Sequence, residues 1–172
     1  MYYLTYTKSS LQRPASPFLM VLTLVLALIF NALPWQGVGL ILRPDAVAVV
    51  LLYWCLHKPE HIGIGIAWMV GIFSDVAHAT VLGQHALAYS IMAFSSMLLH
   101  RRLQMFHLYQ QIPQAFGMLT LTYVIYALVD WRLNHTMVWW YFLGCITSVL
   151  SWLWFSITLQ VMQQLREDRD PL

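Results

Sequence analysis

Residues 62–82 read IGIGIAWMVGIFSDVAHATVL. The stretch holds one carboxylate, Asp75, and one imidazole, His78, among side chains that are otherwise apolar or small. A helix needs about 20 such residues to cross the hydrocarbon of a bilayer, and about 17 at the short end. The run is therefore read as a transmembrane helix. Outward from it, further apolar runs bounded by charge, Pro or Gly lie at 18–33, 44–56, 86–99, 112–129 and 138–161. The second and fourth of the six runs in chain order are short for a full span, so they imply little tilt, a thinned bilayer or extension by interfacial residues.

Composition agrees with this reading. The 172 residues are 60% hydrophobic and 9% charged, against roughly 25% charged in a soluble domain. A soluble chain of this size buries about 70% of its unfolded surface, which leaves the excess Leu, Val, Ile, Trp and Phe no place but lipid. The expected fold class is an all-α integral membrane protein with about six transmembrane helices, as a single polytopic membrane domain over 1–172 with a polar cytoplasmic tail at 162–172. A net charge of +2, spread in short clusters, does not form the basic face that nucleic acid needs. Cys55 and Cys145 sit in or beside apolar runs and read as small core residues. The run after Lys8 and Arg13 resembles a signal peptide, but Asn31-Ala32-Leu33-Pro34-Trp35 offers no small-residue cleavage site, so a retained first helix is expected.

Two tripeptides, Arg43-Pro44-Asp45 and Lys58-Pro59-Glu60, read as helix starts: Pro loses nothing by lacking an N–H there, and an acid follows at the positive dipole end. The segment 34–42, with Gly37 and Gly39 among apolar residues, is expected at the membrane surface or dipping into it. Placing the N-terminus inside puts Lys8, Arg13, Lys58, Arg101, Arg102, Arg166 and Arg169 on the cytoplasmic side and only Arg43 and Arg132 outside. That asymmetry predicts both ends in the cytoplasm. Trp35, Trp131, Trp139, Trp140 and Tyr141 cluster where the outer interface then falls, and Tyr2, Tyr3 and Tyr6 precede the first helix.

Asp75 is the carboxylate expected near the middle of a span, where an ionised group costs about 2.5–3.5 kcal/mol and so faces protein or water. It reads either as a functional carboxylate or as a structural one, hydrogen-bonded to a neighbouring helix through Ser74 or His78. It stands in a row with Gly63, Ala67, Gly71, Ala79 and Gly83, spaced by four. Small residues at that spacing permit close helix approach. At 3.6 residues per turn only Ala67 to Ala79 share a face. The row is read as a packing face within the chain or a docking face for a partner helix.

Signatures of chemistry are absent from the sequence. His57 and His61 flank Pro59 and are not two ligands of one helical face, there is no HExxH, and Asp75 with His78 makes at most two ligands. No phosphate loop, nucleophile elbow or CxxC occurs. No cofactor or metal is expected, and His100-Arg101-Arg102 with His107 reads as a cytoplasmic loop able to meet anionic lipid or a cytoplasmic protein.

An ordered set of residues carries a family likeness. Arg43-Pro44-Asp45, Leu51-Leu52-Tyr53-Trp54, Pro59, Gly63 and Gly65, Gly71, Asp75, Leu82-Gly83, Ala86-Leu87-Ala88 and Tyr109-Gln110-Gln111 resemble the bacterial rod shape-determining protein MreD family over roughly residues 34–111. The first and last thirds match mainly in hydropathy. The resemblance implies a non-catalytic inner-membrane component of the cell-wall elongation machinery. Its implied partners are an MreC-like periplasmic membrane protein and, through it, the MreB filament, the RodA glycan polymerase and its transpeptidase. The six-helix plan is also similar to the substrate-binding membrane subunits of energy-coupling-factor transporters. A small-molecule-binding or transport subunit is the alternative reading, motivated by Asp75 and the segment around Gly37 and Gly39.

Overall fold

A computed structural model of the chain describes residues 17–37, 39, 42–58, 61–103, 108–134 and 140–169. Lys8, Arg13, Tyr2, Tyr3, Tyr6, Pro59, Glu60, His107 and Trp139, on which parts of the sequence reading rest, lie outside the described residues. The described residues form six helices, α1 (Pro17–Ala32), α2 (Ala46–His57), α3 (Ile64–His78), α4 (Gln84–Leu103), α5 (Leu108–Asn134) and α6 (Trp140–Arg169), with no strand among them.

Helix α2 is the axis of the bundle. Its sequence AVAVVLLYWCLH is apolar on every side, and a helix without a polar face is stable only when surrounded. All ten residues 47–56 are buried. The helix packs against α1, α4, α5 and α6, while α3 packs on α4, α4 on α5, α5 on α6, and α1 touches α3. At 1.5 Å per residue its 12 residues reach about 18 Å, short of the roughly 30 Å hydrocarbon layer. It is thus a core helix enclosed by its neighbours. Trp54, fully buried, donates its indole N–H to Thr23 Oγ1 of α1 at 3.0 Å, and Tyr53 meets Phe155 of α6 edge-on at 5.6 Å.

Outside this core the helices turn large apolar side chains outward. Phe18, Trp68, Phe73, Val76, Leu98 and Trp154 are each more than half exposed. One described segment, Ile112–Leu133 in α5, is long and apolar enough to cross a membrane; Pro17–Ala32, Ala46–His57, Ile64–His78 and Phe142–Thr158 are apolar but shorter.

Element boundaries depart from the hydropathy reading in four places, each for a local reason. The third helix was expected over 62–82, but Gly63 is its N-cap and Ala79, at φ 51°, ends it in the left-handed region. Val81 and Leu82 belong to an exposed turn that closes on Gly83 at φ 102°. Lys58, expected to open a helix, instead closes α2, donating its N–H to Trp54 O at 2.7 Å. At the Arg43-Pro44-Asp45 start the acid is the N-cap itself: Asp45 accepts from Ala48 N–H at 3.0 Å, and the helix begins at Ala46. Finally, α6 runs through the polar residues 162–169 expected as a tail, because Gln, Leu, Arg and Glu are good helix formers. Hydropathy marks where apolar surface stops, not where helix stops. In the 34–42 segment, Gly37 takes φ 59°, and Trp35 folds back on α1, edge-on to Phe30 at 5.4 Å.

Candidate functional site

The C-terminal ends of α1 and α3, the N-terminal ends of α2 and α4, and parts of α5 and α6 converge at one end of the bundle. Two buried carboxylates organise that convergence.

Asp45 has four donors on its carboxylate. Oδ1 accepts from Asn31 Nδ2 at 2.9 Å and Ala48 N–H at 3.0 Å, and Oδ2 accepts from Tyr126 OH at 2.8 Å. Tyr89 OH is 3.0 Å from both oxygens. The backbone N–H of Asp45 donates to Ser148 Oγ at 2.9 Å, with Tyr123 OH at 3.3 Å, and those two hydroxyls are 2.8 Å apart. One residue between α1 and α2 thereby binds α1, α2, α4, α5 and α6. Asp45 is buried, and its donors replace the water that the carboxylate would otherwise hold.

Asp75 performs a related task between α3 and α4. It lies in the last turn of α3, not at mid-span as hydropathy suggested, because the apolar run continues through the turn that follows the helix. Its Oδ2 accepts from Gly83 N–H at 2.8 Å, and from Ala86 N–H at a long 3.4 Å. Its Oδ1 accepts from His85 N–H at 2.8 Å, from His85 Nδ1 at 2.8 Å and from Thr80 Oγ1 at 3.2 Å. The first amides of a helix lack intrahelical partners and carry the positive dipole end; here the carboxylate that satisfies them comes from the preceding helix. The partners are therefore Thr80, Gly83, His85 and Ala86, and not Ser74 or His78.

Asn31 joins the two centres. Its carbonyl oxygen accepts from Arg43 Nη1 at 2.9 Å and faces His78 Nε2 at 3.1 Å, while its Oδ1 accepts from Ala46 N–H at 3.1 Å. His78 Nδ1 faces Ser74 O at 2.7 Å. Arg43 sits at the C-terminal carbonyl end of α1, where the dipole favours a cation. The His85 ring stacks near that of His78 at 5.5 Å and lies 4.6 Å from Tyr126. Gln84 Nε2 closes the cluster onto Tyr126 O at 3.3 Å.

The row of small residues divides. Gly71 is in close contact with α4: a Cβ there would lie 2.3 Å from Ala86 Cα and 2.5 Å from Ala86 N. Ala67 is fully buried, one turn before it. Gly63, Ala79 and Gly83 are cap and turn positions at or beyond the ends of α3. Within the helix, Gly71 and Asp75 are thus spent on the contact with α4, while Ala67 is buried in the same bundle.

Chemically, the arrangement holds helices together. Both carboxylates are filled with donors, and neither could act as a base or ligate a metal without surrendering them. Among the described residues no three His, Cys, Asp or Glu converge as a metal site, and Cys55 and Cys145 are free and buried. Sequence reasoning found Asp75, Gly71 and the Arg43-Pro44-Asp45 motif but missed Asn31, Tyr89, Tyr123, Tyr126 and Ser148. These lie one or two to an apolar run, and the signal available was only that buried hydroxyls and amides need partners.

All these residues fall within the region that matches a known family. A family described as rod shape-determining protein MreD matches residues 12–162. The Rod shape-determining protein MreD of Haemophilus influenzae is 26% identical over 144 residues, covering 81% of this chain and 87% of that protein. No solved structure matches.

Proposed function

The chain belongs to the rod shape-determining protein MreD family, and from that premise we propose that it is a non-catalytic, multi-pass component of the bacterial inner membrane. In this role it organises an MreC-like periplasmic membrane protein and the peptidoglycan synthases of the elongation complex, with the MreB filament linked indirectly. The observation that carries the non-catalytic part is the saturation of Asp45 and Asp75 by donors from all sides. A bundle whose two buried carboxylates are satisfied by its own helices, and whose outward faces are apolar, suits a membrane scaffold. The likeness of plan to energy-coupling-factor substrate-binding subunits belongs to the same reading as architecture alone, without cargo.

Depletion in a rod-shaped host is the direct test. Cells are expected to round up, with labelled wall precursor no longer incorporated along the side wall, while uptake of small nutrients continues. Cells that keep their width and lateral incorporation would refute the proposal.

The proposed topology has both ends in the cytoplasm, which places the Asp45 cluster towards the periplasmic side. It is supported by the seven-to-two split of basic residues. A reporter fused after Leu172 is expected to read as cytoplasmic and one inserted within 130–135 as periplasmic. A cytoplasmic signal from the second fusion overturns this orientation.

A further inference from the structure

The helices facing outward have unequal lengths, and the inequality is built in. Helix α3 is fixed at both ends: Gly63 caps its start, Ala79 turns left-handed at its finish, and Asp75 clamps the chain beyond to the first turn of α4. Its 15 residues rise about 22 Å, and no further turn can be added while those bonds hold. Its outward side chains, Trp68, Met69, Phe73 and Val76, are 54–65% exposed and wholly apolar. Helix α4 shares this limit, since from Gln84 to Leu99, just before His100-Arg101-Arg102, it rises about 24 Å. The apolar segment Ile112–Leu133 of α5, the next helix round, has 22 residues and rises about 33 Å.

We infer that the α3–α4 side seats a bilayer whose hydrocarbon layer is locally thinned, by about 6–8 Å relative to the roughly 30 Å norm, while the α5 side meets hydrocarbon of ordinary depth. This rests on the membrane reading proposed above. Tilt does not remove the shortfall, because tilting shortens a helix's projection on the membrane normal. Lipid is the occupant, not another helix. The small residues of α3 that permit close helix approach, Ala67 and Gly71, are buried inside the bundle, Gly71 directly against α4, and the outward face is bulky and uneven. One protein thus joins a thin patch of membrane to a thick one, and shorter acyl chains collect on one side of it.

Spin labels on single-cysteine variants of the full chain read this out in vesicles of phosphatidylethanolamine and phosphatidylglycerol with 18-carbon chains. The labels go at Ile64, Met69, Val76 and Leu82 on the α3 side and at Phe116, Val124 and Leu133 on α5. Depth is taken from relative collision with oxygen and with a water-soluble nickel complex. The hydrocarbon zone should measure about 6–8 Å narrower along α3 than along α5, with Ile64 and Leu82 both at its edges. In mixed vesicles, 14-carbon lipids should be enriched at Val76 over 20-carbon lipids by roughly threefold. Equal zone widths with no chain-length preference overturn the inference. So do labels on α3 that become immobilised as protein concentration rises, since a second copy would then cover the face. Labels that nowhere favour oxygen would refute the membrane placement itself, a failure distinct from a uniform bilayer depth.

Discussion

Asp45→Leu is expected to destabilise the bundle by on the order of 4 kcal/mol and to abolish rescue of rod shape. The substitution strands the hydroxyls of Tyr89 and Tyr126, the amide of Asn31 and the Ala48 N–H in a buried setting. Each stranded donor costs about 1–3 kcal/mol, and losses that share a site add incompletely. Loss of the α2 N-cap, ordinarily worth about 1 kcal/mol, is included in that sum. Asp45→Asn should be milder, because it keeps one acceptor oxygen but turns an NH2 towards groups that also donate. Tyr126→Phe removes a single donor and should cost about 1–2 kcal/mol. Denaturant unfolding in detergent micelles, with membrane levels followed by blotting, gives the ordering Leu, Asn, then the Phe variant. A variant with Leu at this position as stable as the parent would show that the carboxylate does not hold the bundle together.

Gly71→Ala is expected to be nearly as damaging, although it adds only one methyl group. The new Cβ would lie 2.3 Å from Ala86 Cα, 2.5 Å from Ala86 N and 2.8 Å from the His85 carbonyl carbon, all of them backbone atoms. No rotamer relieves such a clash, so α3 and α4 must separate by about 1 Å or more. That separation stretches the bonds from Gly83 and His85 to Asp75, both 2.8 Å long. Overpacking typically costs 1–3 kcal/mol, and backbone against backbone belongs at or above the top of that range. Gly71→Leu should prevent assembly altogether. Gly65→Ala provides the control on the same helix: nothing lies within 4 Å of its would-be Cβ, and Ala for Gly inside a helix gains roughly 0.5–1 kcal/mol. Opposite signs at positions 65 and 71 are the expected result. Equal tolerance at both would mean that α3 and α4 do not cross closely at Gly71.

Both outcomes turn on residues whose importance was unevenly visible beforehand. Gly71 stands in a spaced row read as a packing or docking face, and a Cβ at that position would meet the backbone of α4. The row's last members, Ala79 and Gly83, belong to the turn after α3, since a four-residue repeat continues through a chain reversal without any change in the sequence pattern. Asp45 was visible as an acid at a helix start, which is a local property. That Tyr89, Tyr126, Asn31 and Ser148 converge on it could not be seen, because those positions are 14 to 103 residues away in the chain.

Legible in the residues themselves are the helical class, the six apolar segments in their order, the family likeness and the few polar residues that an apolar interior has to accommodate. These follow from composition and from periodicity along one helix, both local quantities. Packing, by contrast, makes the short second segment the enclosed axis, stops α3 at Ala79 and lets Asp75 cap the helix after its own. It also brings five helices onto Asp45, with donors on its carboxylate from α1, α2, α4 and α5 and its own N–H donating to Ser148 of α6. Hydropathy records what a residue avoids, which is water, whereas a buried carboxylate is placed by the donors it finds, and those are brought together only when the helices pack.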